Sequence, residues 1–410
     1  MKPEAILSLD AGSSKVCGIL FYIGSGSVPR ILAAMHRKIN TTTSGENDEY
    51  IPFSHIATLI QAMSRTFNIT PRKAIISINA SRVRLISSSG IFERKKAAKP
   101  LTRWEINEYF SELKSMVNEP GYELVHILPQ KFLLDGKQFF HIPAGMSGSR
   151  IECGVTFVAV KKNFIERYRE MLQELGIMMC GCYVDAINNI EICLSPEDKE
   201  TGTMIIDFGA NTTKFTIVKD GVIRSCGGIN MGGNIITKDI KEISGVPWTY
   251  AEKIKKTAGS AYSASIPDNE VISVVTPSSI PREFSRKKLA EIIEARVREI
   301  IDILICSIET KIQWHQFVRN IILTGGGALL GHLPCLIEEI TGKETYFSPH
   351  INNLIPVDDD ELIKELSSPI YVSALGQIHL FTNGNYDPNP VASNFIEKML
   401  SILGSVILEN

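Results

Sequence analysis

Apolar and polar positions alternate along this chain in two rhythms, one near two residues and one near 3.6, and the switches between them predict its elements. Leu7 to Lys15 reads LSLDAGSSK and Ile205 to Lys214 reads IIDFGANTTK. In each, a β-rich run ends in Asp, a glycine follows two residues later, small polar residues come next, and a second apolar run begins. That order predicts a β-hairpin with a glycine-containing turn, twice. From Arg84 to Val160 the pattern gives strands around one amphipathic helix, Thr102 to Val117, with Thr102 as its N-cap and Glu105 completing a capping box. Ser285 to Leu304 predicts a longer helix with Leu289, Ile292, Ile293, Val297, Ile300, Ile301 and Leu304 facing inward, and Arg286, Lys287, Lys288, Arg296 and Arg298 forming a basic outer face. Ile321 to Gly342 is a β-branched run, three glycines and then a helix. The breaker-rich stretch Asn383 to Pro390 predicts a linker. Beyond it, from Ser393, the residues Phe395, Ile396, Met399, Leu400, Ile402, Leu403, Val406 and Ile407 share one side of a helix whose other side is polar.

The duplicated turns carry the candidate chemistry. Gly12 and Gly209 let backbone N–H groups converge on an anion, and Ser13, Ser14, Asn211, Thr212 and Thr213 add polar donors. Two such turns facing each other predict a clamp for a polyphosphate. Asp10 and Asp207 are placed to hold a hydrated Mg²⁺ through water, and Lys15 to put a point charge on the phosphates. Gly325, Gly326, Gly327 and Ala328 open a helix whose N-terminus can face a nucleotide. Gly233 lies in a further Gly-Gly turn, and Glu252 and Lys255, three apart on a helix, are candidates to bracket a ribose or adenine, although such a pair is more often a surface salt bridge.

Composition narrows the picture. With 43 Lys plus Arg against 45 Asp plus Glu, no global positive field draws the chain to nucleic acid or anionic lipid. The eight cysteines are scattered and lack C-x-x-C spacing, so reduced thiols are expected. No signal-peptide pattern opens the sequence, and no apolar run reaches the roughly 18 residues a membrane span needs. A cytoplasmic protein of at least two domains is the expectation, with any membrane contact local. The Ser393 segment is suited to lying in a membrane surface, the alternative being a helix docked on its own body or on a second copy.

In order, the pieces are Asp turn, Asp turn, Gly-Gly turn, Glu/Lys helix and Gly-Gly-Gly turn. This order resembles the nucleotide cleft of the actin superfamily, and His126-Ile-Leu-Pro-Gln130 with Pro143-Ala-Gly-Met-Ser-Gly148 resembles the FtsA family of bacterial division proteins. The resemblance implies an α/β, actin-like two-domain ATPase fold, with ribonuclease H-like halves around a nucleotide cleft and an inserted small α+β subdomain. Its expected boundaries are 1–83 with 161–202 for the first domain, 84–160 for the insert, 203–382 for the second domain (about 230–303 its smaller part), 383–392 for the linker and 393–410 for the membrane-targeting helix.

It further implies that the chain binds ATP with Mg²⁺, self-assembles through the insert and the cleft faces, and receives the C-terminal tail of FtsZ near Arg286. The chain would thereby tether FtsZ filaments to the cytoplasmic face of the inner membrane at the septum and help recruit later division proteins. Two departures stand out. Ala210 and Asn211 replace glycines of the family's second turn, D-x-G-G-G-T-T, and Ala adopts a left-handed backbone poorly. Asp185 sits where the superfamily places a water-orienting acid or amide, but it is equally readable as a helix N-cap, so ATPase activity is expected to be weak at most. A rival is the ATP-binding platform protein of type IV pilus assembly, which shares the cleft and a similar insertion and is not expected to end in a membrane-binding helix.

Overall fold

The computed structural model describes residues 4–23, 28–39, 53–140, 142–275, 281–347 and 359–383. The first half begins with β1 (Ile6–Ala11), β2 (Lys15–Ile23), β3 (Pro29–Lys38), α1 (Phe53–Phe67) and β4 (Lys73–Ile78). An excursion follows: β5 (Val83–Glu93), α2 (Arg103–Met116), β6 (Tyr122–Leu134), β7 (Lys137–Phe139) and β8 (Arg150–Lys161). The chain returns through α3 (Lys162–Glu174), β9 (Met178–Val184) and α4 (Asp185–Cys193). Ile6, Leu7, Ser8 and Leu9 are all buried because β1 is a central strand, antiparallel to β2, parallel to β4 and covered on both faces. The sheet order is β3-β2-β1-β4-β9.

The second half repeats the plan. After α5 (Pro196–Thr201) come β10 (Thr203–Phe208), β11 (Thr213–Lys219), β12 (Val222–Ile229), α6 (Gly233–Ser244) and α7 (Trp248–Ala258). Then follow β13 (Val271–Val275), β14 (Pro281–Ser285), α8 (Arg286–Glu309), β15 (Asn320–Thr324), α9 (Leu333–Thr341), β16 (Glu344–Phe347), α10 (Asp360–Leu366) and α11 (Val372–Asn383). Its sheet order, β12-β11-β10-β15-β16, matches the first strand for strand, with β10 antiparallel to β11 and parallel to β15. The echo between the two Asp turns is therefore a duplication of a whole sheet.

The halves are interlocked by two helices. α4 leaves the first sheet to pack on β10 and β11, whereas α11, assigned by sequence to the second half, packs on β1, β4 and α4. Asn383, expected to open the linker, is the last residue of α11. At the crossing a Cβ on Gly376 would overlap the Asn188 carbonyl oxygen and stand 2.5 Å from its carbon. Buried hydroxyls and amides fasten the seam: Ser8 Oγ donates to Ala374 O (2.6 Å), Gln377 Nε2 to Ser8 Oγ (2.7 Å), and Asn188 Nδ2 to Ser77 Oγ (3.1 Å) and Ser373 Oγ (3.2 Å).

The excursion is a four-stranded antiparallel sheet, β5-β8-β6-β7, with its own core of Leu113, Phe132, Ile151 and Phe157 against α2. Thr102 caps α2 and Glu105 closes the capping box. Glu105 also accepts from the buried Arg94, whose hydrogen bond holds the Glu105 carboxyl below the usual carboxylate range. Arg94 donates as well to Gly148 O at 2.8 Å, so the GMSG stretch is a hydrogen-bonded corner of this subdomain.

Candidate functional site

The two Asp turns are built alike. Gly12 N donates to Lys15 O and Gly209 N to Thr212 O, each at 2.9 Å, and each turn joins the first two strands of its sheet. Residues with positive φ other than glycine are Asn68, Asp135, Asp220 and His332 among the described residues; neither Ala210 nor Asn211 is one of them. The expected left-handed strain at Ala210 is thus absent. What Gly209 supplies is close approach, since a Cβ there would stand 2.7 Å from Thr212 O. The second turn is tied to the first half by Asn79, just after β4, which donates its Nδ2 to Thr212 Oγ1 at 3.2 Å.

Beneath the turns lies a charged knot. The β10–β11 register sets Lys214 opposite Asp207, and Lys214 Nζ lies 2.6 Å from Asp207 Oδ2 and 2.6 Å from Asp185 Oδ2. Asp185 is the first residue of α4 and 4 % exposed; its Oδ1 accepts from Ala80 N at 2.8 Å. The N-cap alternative for Asp185 is therefore corrected: Val184 holds the cap position, and no side chain caps the helix. His126 of the HILPQ stretch accepts from Val184 N at 2.9 Å and so fixes the start of α4. Burial raises the Asp185 carboxyl and Lys214 lowers it. Burial alone would lower Lys214, but the two flanking carboxylates outweigh it and hold its proton above the ordinary lysine range. Burial pushes Asp10 up to about 6, against the pull of Lys15 and Lys214. Asn189, 2 % exposed, points Nδ2 toward Asp207 Oδ2 at 3.5 Å and leaves its Oδ1 without a partner.

Lys214, Asn79 and Asn189 escaped the sequence reading. Lys214 was visible as the residue closing the second motif, but its partners come from two other elements. Lys15, expected on the phosphates, donates to Ile370 O at 2.9 Å, just before α11. Asp10 and Asp207, expected to hold Mg²⁺ through water, are not part of a direct-coordination cluster: among the described residues no group of three or more His, Cys, Asp or Glu is gathered to hold a metal ion, and an ammonium stands against Asp207. The carboxylates present do not fit a directly bound divalent ion while Lys214 is between them.

The other expected residues close the second half of the cleft. Gly325, with φ 85°, lies so tightly against Asp207 and Phe208 that a Cβ would strike both, and Gly327 abuts Phe208. Gly326 has open space, and Ala328 is buried in a short 3₁₀ turn. Gly233 N donates to Gly209 O at 3.0 Å, which ties the start of α6 to the turn, and Asn234 Nδ2 donates to Asn211 Oδ1 at 2.6 Å. Lys255 Nζ donates to Gly233 O (2.8 Å) and Thr237 Oγ1 (2.7 Å) and pairs with Glu252 at 2.6 Å. Glu252 and Lys255 therefore brace α6 against α7; Thr213 Oγ1, donating to Met231 O at 2.8 Å, braces the loop before it. Ser13 and Ser14 lie in the first turn, half-buried.

Arg286 is at some distance in sequence and role. It begins α8, donates Nε to Ala258 O at 3.0 Å and pairs with Glu270 at 2.6 Å. The neighbouring cations are paired too: Lys287 with Asp268, Lys288 with Glu291, Arg296 with Asp239 and Glu299, Arg298 with Glu294 and Glu339. The face expected to be basic is charge-balanced, because its acidic partners arrive largely from other elements. Residues Phe395 to Ile407 of the amphipathic segment lie outside the described residues, and no described helix is long and apolar enough to cross a membrane.

Comparison with known proteins agrees with this geometry. The family model "Cell division protein FtsA" matches residues 204–376, and the model "SHS2 domain inserted in FTSA" matches residues 80–159. The chain is 26% identical over 387 residues to the cell division protein FtsA of Borreliella burgdorferi, covering 92% of this chain and 91% of that protein. It is 24% identical to the FtsA of Pseudomonas aeruginosa (91% and 88% covered) and 25% identical to that of Bacillus subtilis (82% and 77% covered). Among solved structures, the PilM-PilN type IV pilus biogenesis complex superposes with a TM-score of 0.62 at 17% identity, covering 92% of this chain and 98% of that one. MreB 5 of Spiroplasma citri bound to AMPPNP superposes with a TM-score of 0.56 at 14% identity, covering 97% and 99%. These likenesses establish the actin-like fold.

Proposed function

The chain belongs to the FtsA family of cell division proteins, and from that premise we propose that it binds ATP in the cleft between its two sheets, assembles into actin-like filaments and tethers FtsZ filaments to the cytoplasmic membrane at the septum. One observation carries the reading. Two turns of the same build, each following an Asp, come one from each half; Asn79 of the first half bonds Thr212 of the second turn, and Asp10 lies close enough to Lys214 and Asp207 to feel their charges, so a polyphosphate between them would meet backbone N–H groups from both halves. Lys15 supplies the mobile cation by exchanging its bond to Ile370 O for a phosphate oxygen. Mg²⁺, when bound, would neutralise phosphate charge, and Asp10 is the carboxylate suited to receive its waters. Turnover is weak at most: Asp185, the group suited to orient a water, already has both oxygens engaged.

Calorimetric titration with ATP tests the cleft. Lys15→Ala and Asp207→Ala should each weaken binding about tenfold or more, the cost of losing a charged contact, while keeping the parent circular dichroism spectrum. Unchanged affinity in either variant would contradict the assignment.

The surface for FtsZ is the start of α8, copies associate through the insert and the cleft faces, and the assembled chain helps recruit later division proteins. A short peptide with carboxylates can draw Arg286 from Glu270, since a solvent-accessible, partly buried pair of this kind holds by only about 1 kcal/mol. Arg286→Glu should cut capture of the FtsZ tail peptide severalfold in a pull-down with and without ATP. Capture equal to the parent would remove this surface. The pilus-platform reading keeps only its likeness of fold, whereas the sequence relatives are cell division proteins.

A further inference from the structure

The knot of Asp185, Lys214 and Asp207 has a geometry that a nucleotide clamp alone does not require. A buried carboxylate, Asp185, and a partly buried one, Asp207, converge with their oxygens each 2.6 Å from one nitrogen, and Asp10 is near enough to feel all three charges. The Asp185–Asp207 pair, its coordination completed by water, would draw a divalent ion into the cleft were no cation already there. The room for that cation is built into the sheet. Register places Gly228 of β12 beside Lys214, and a Cβ on Gly228 would come within 2.9 Å of Lys214 Cγ. The aliphatic stem thus runs over a glycine to deliver its ammonium inward, where it is 8 % exposed.

Resting on the nucleotide-cleft reading above, we infer that Lys214 is the resident cation of the cleft, its ammonium standing between Asp185 and Asp207 where a divalent ion would otherwise bind. A covalently attached ammonium needs no stripping of a hydration shell at each binding event and is present whatever the Mg²⁺ concentration. Three N–H donors also orient both carboxylates, and with Ala80 N they hold Asp185 still. Nucleotide affinity should therefore depend little on free Mg²⁺. Removing the lysine leaves the two carboxylates facing each other, a repulsion that a divalent ion relieves more fully than the uptake of one proton does.

The test uses the full chain without nucleotide, titrated with Mn²⁺ and followed by the electron paramagnetic resonance of free Mn²⁺. Wild type should show no stoichiometric site, Lys214→Ala should acquire one, and Lys214→Arg should behave as wild type. Mn²⁺ should raise the melting temperature of Lys214→Ala and leave wild type unmoved, because a ligand that binds only the native state stabilises it. If Lys214→Ala is unfolded alone, Mn²⁺ should restore a cooperative melt. A second arm measures ADP affinity in Mg²⁺ and in EDTA, with a ratio under about threefold expected for wild type and above about tenfold for Lys214→Ala. A stoichiometric Mn²⁺ site in nucleotide-free wild type, or a Lys214→Ala that neither binds nor is stabilised by Mn²⁺, overturns the proposal. A protein that binds no nucleotide under either condition instead overturns the cleft reading, and the Mn²⁺ arm still decides the role of Lys214.

Discussion

Gly376→Ala should destabilise the protein by about 3 kcal/mol, as overpacking at a rigid contact does. Helix propensity predicts the opposite sign, because alanine in a helix interior is favoured over glycine by about 1 kcal/mol. The clash decides. The added Cβ meets the backbone of Asn188 and not the tip of a flexible side chain, so α4 and α11 must separate. Separation also strains the buried bonds from Asn188 to Ser77 and Ser373 and from Gln377 to Ser8. Gly376→Val, bulkier and β-branched, should cost more still. Urea unfolding followed by circular dichroism measures the effect, and a Gly376→Ala protein as stable as the parent would show that the crossing can relax. Because α4 begins with Asp185 and the turn before α11 carries the carbonyl that holds Lys15, the same substitution should also loosen the cleft.

The parts of this molecule that could be read from sequence are those written locally. Thr102 and Glu105 lie three residues apart and cap each other, and the stripe from Leu289 to Leu304 is buried as its spacing requires. The two Asp turns announced themselves because a duplicated sheet leaves two copies of one motif. What escaped depends on residues distant in sequence. Lys214 acquires its meaning from Asp185, and nothing near Gly376 signals Asn188, since residues 372–378 of α11 are all buried and no periodicity singles out one face. The basic face of α8 misled for the same reason. Its cations could be counted from the sequence, but Asp239, Glu270 and Glu339 reach it only in the fold. At Ala210 the family's glycines suggested a left-handed turn, whereas the backbone needs only the close approach that Gly209 allows.

Truncation after Ala392 should abolish binding to liposomes. The segment from Ser393 to Asn410 gathers Phe395, Ile396, Met399, Leu400, Ile402, Leu403, Val406 and Ile407 on one side and Asn394, Glu397, Lys398, Ser401, Ser405 and Glu409 on the other, where Leu408 is the apolar exception. A helix so divided, joined to the folded body through the breaker-rich Gly384 to Pro390, needs a partner for its apolar side, and it is too short and too polar to span a bilayer. Lying in the interface satisfies both conditions. On the proposed membrane role, Lys398 stands against Glu397 and Glu409, so attraction to anionic headgroups would be small and insertion of the apolar side would supply the affinity. Co-sedimentation should therefore change little between low and high salt. It should rise when ATP drives assembly, because a row of subunits presents many such helices to one surface at once. Leu400→Glu with Leu403→Glu, which places two charges in the middle of the apolar side, should match the truncation while leaving ATP binding intact. Liposome binding that persists in the truncated protein would put the anchor elsewhere in the chain.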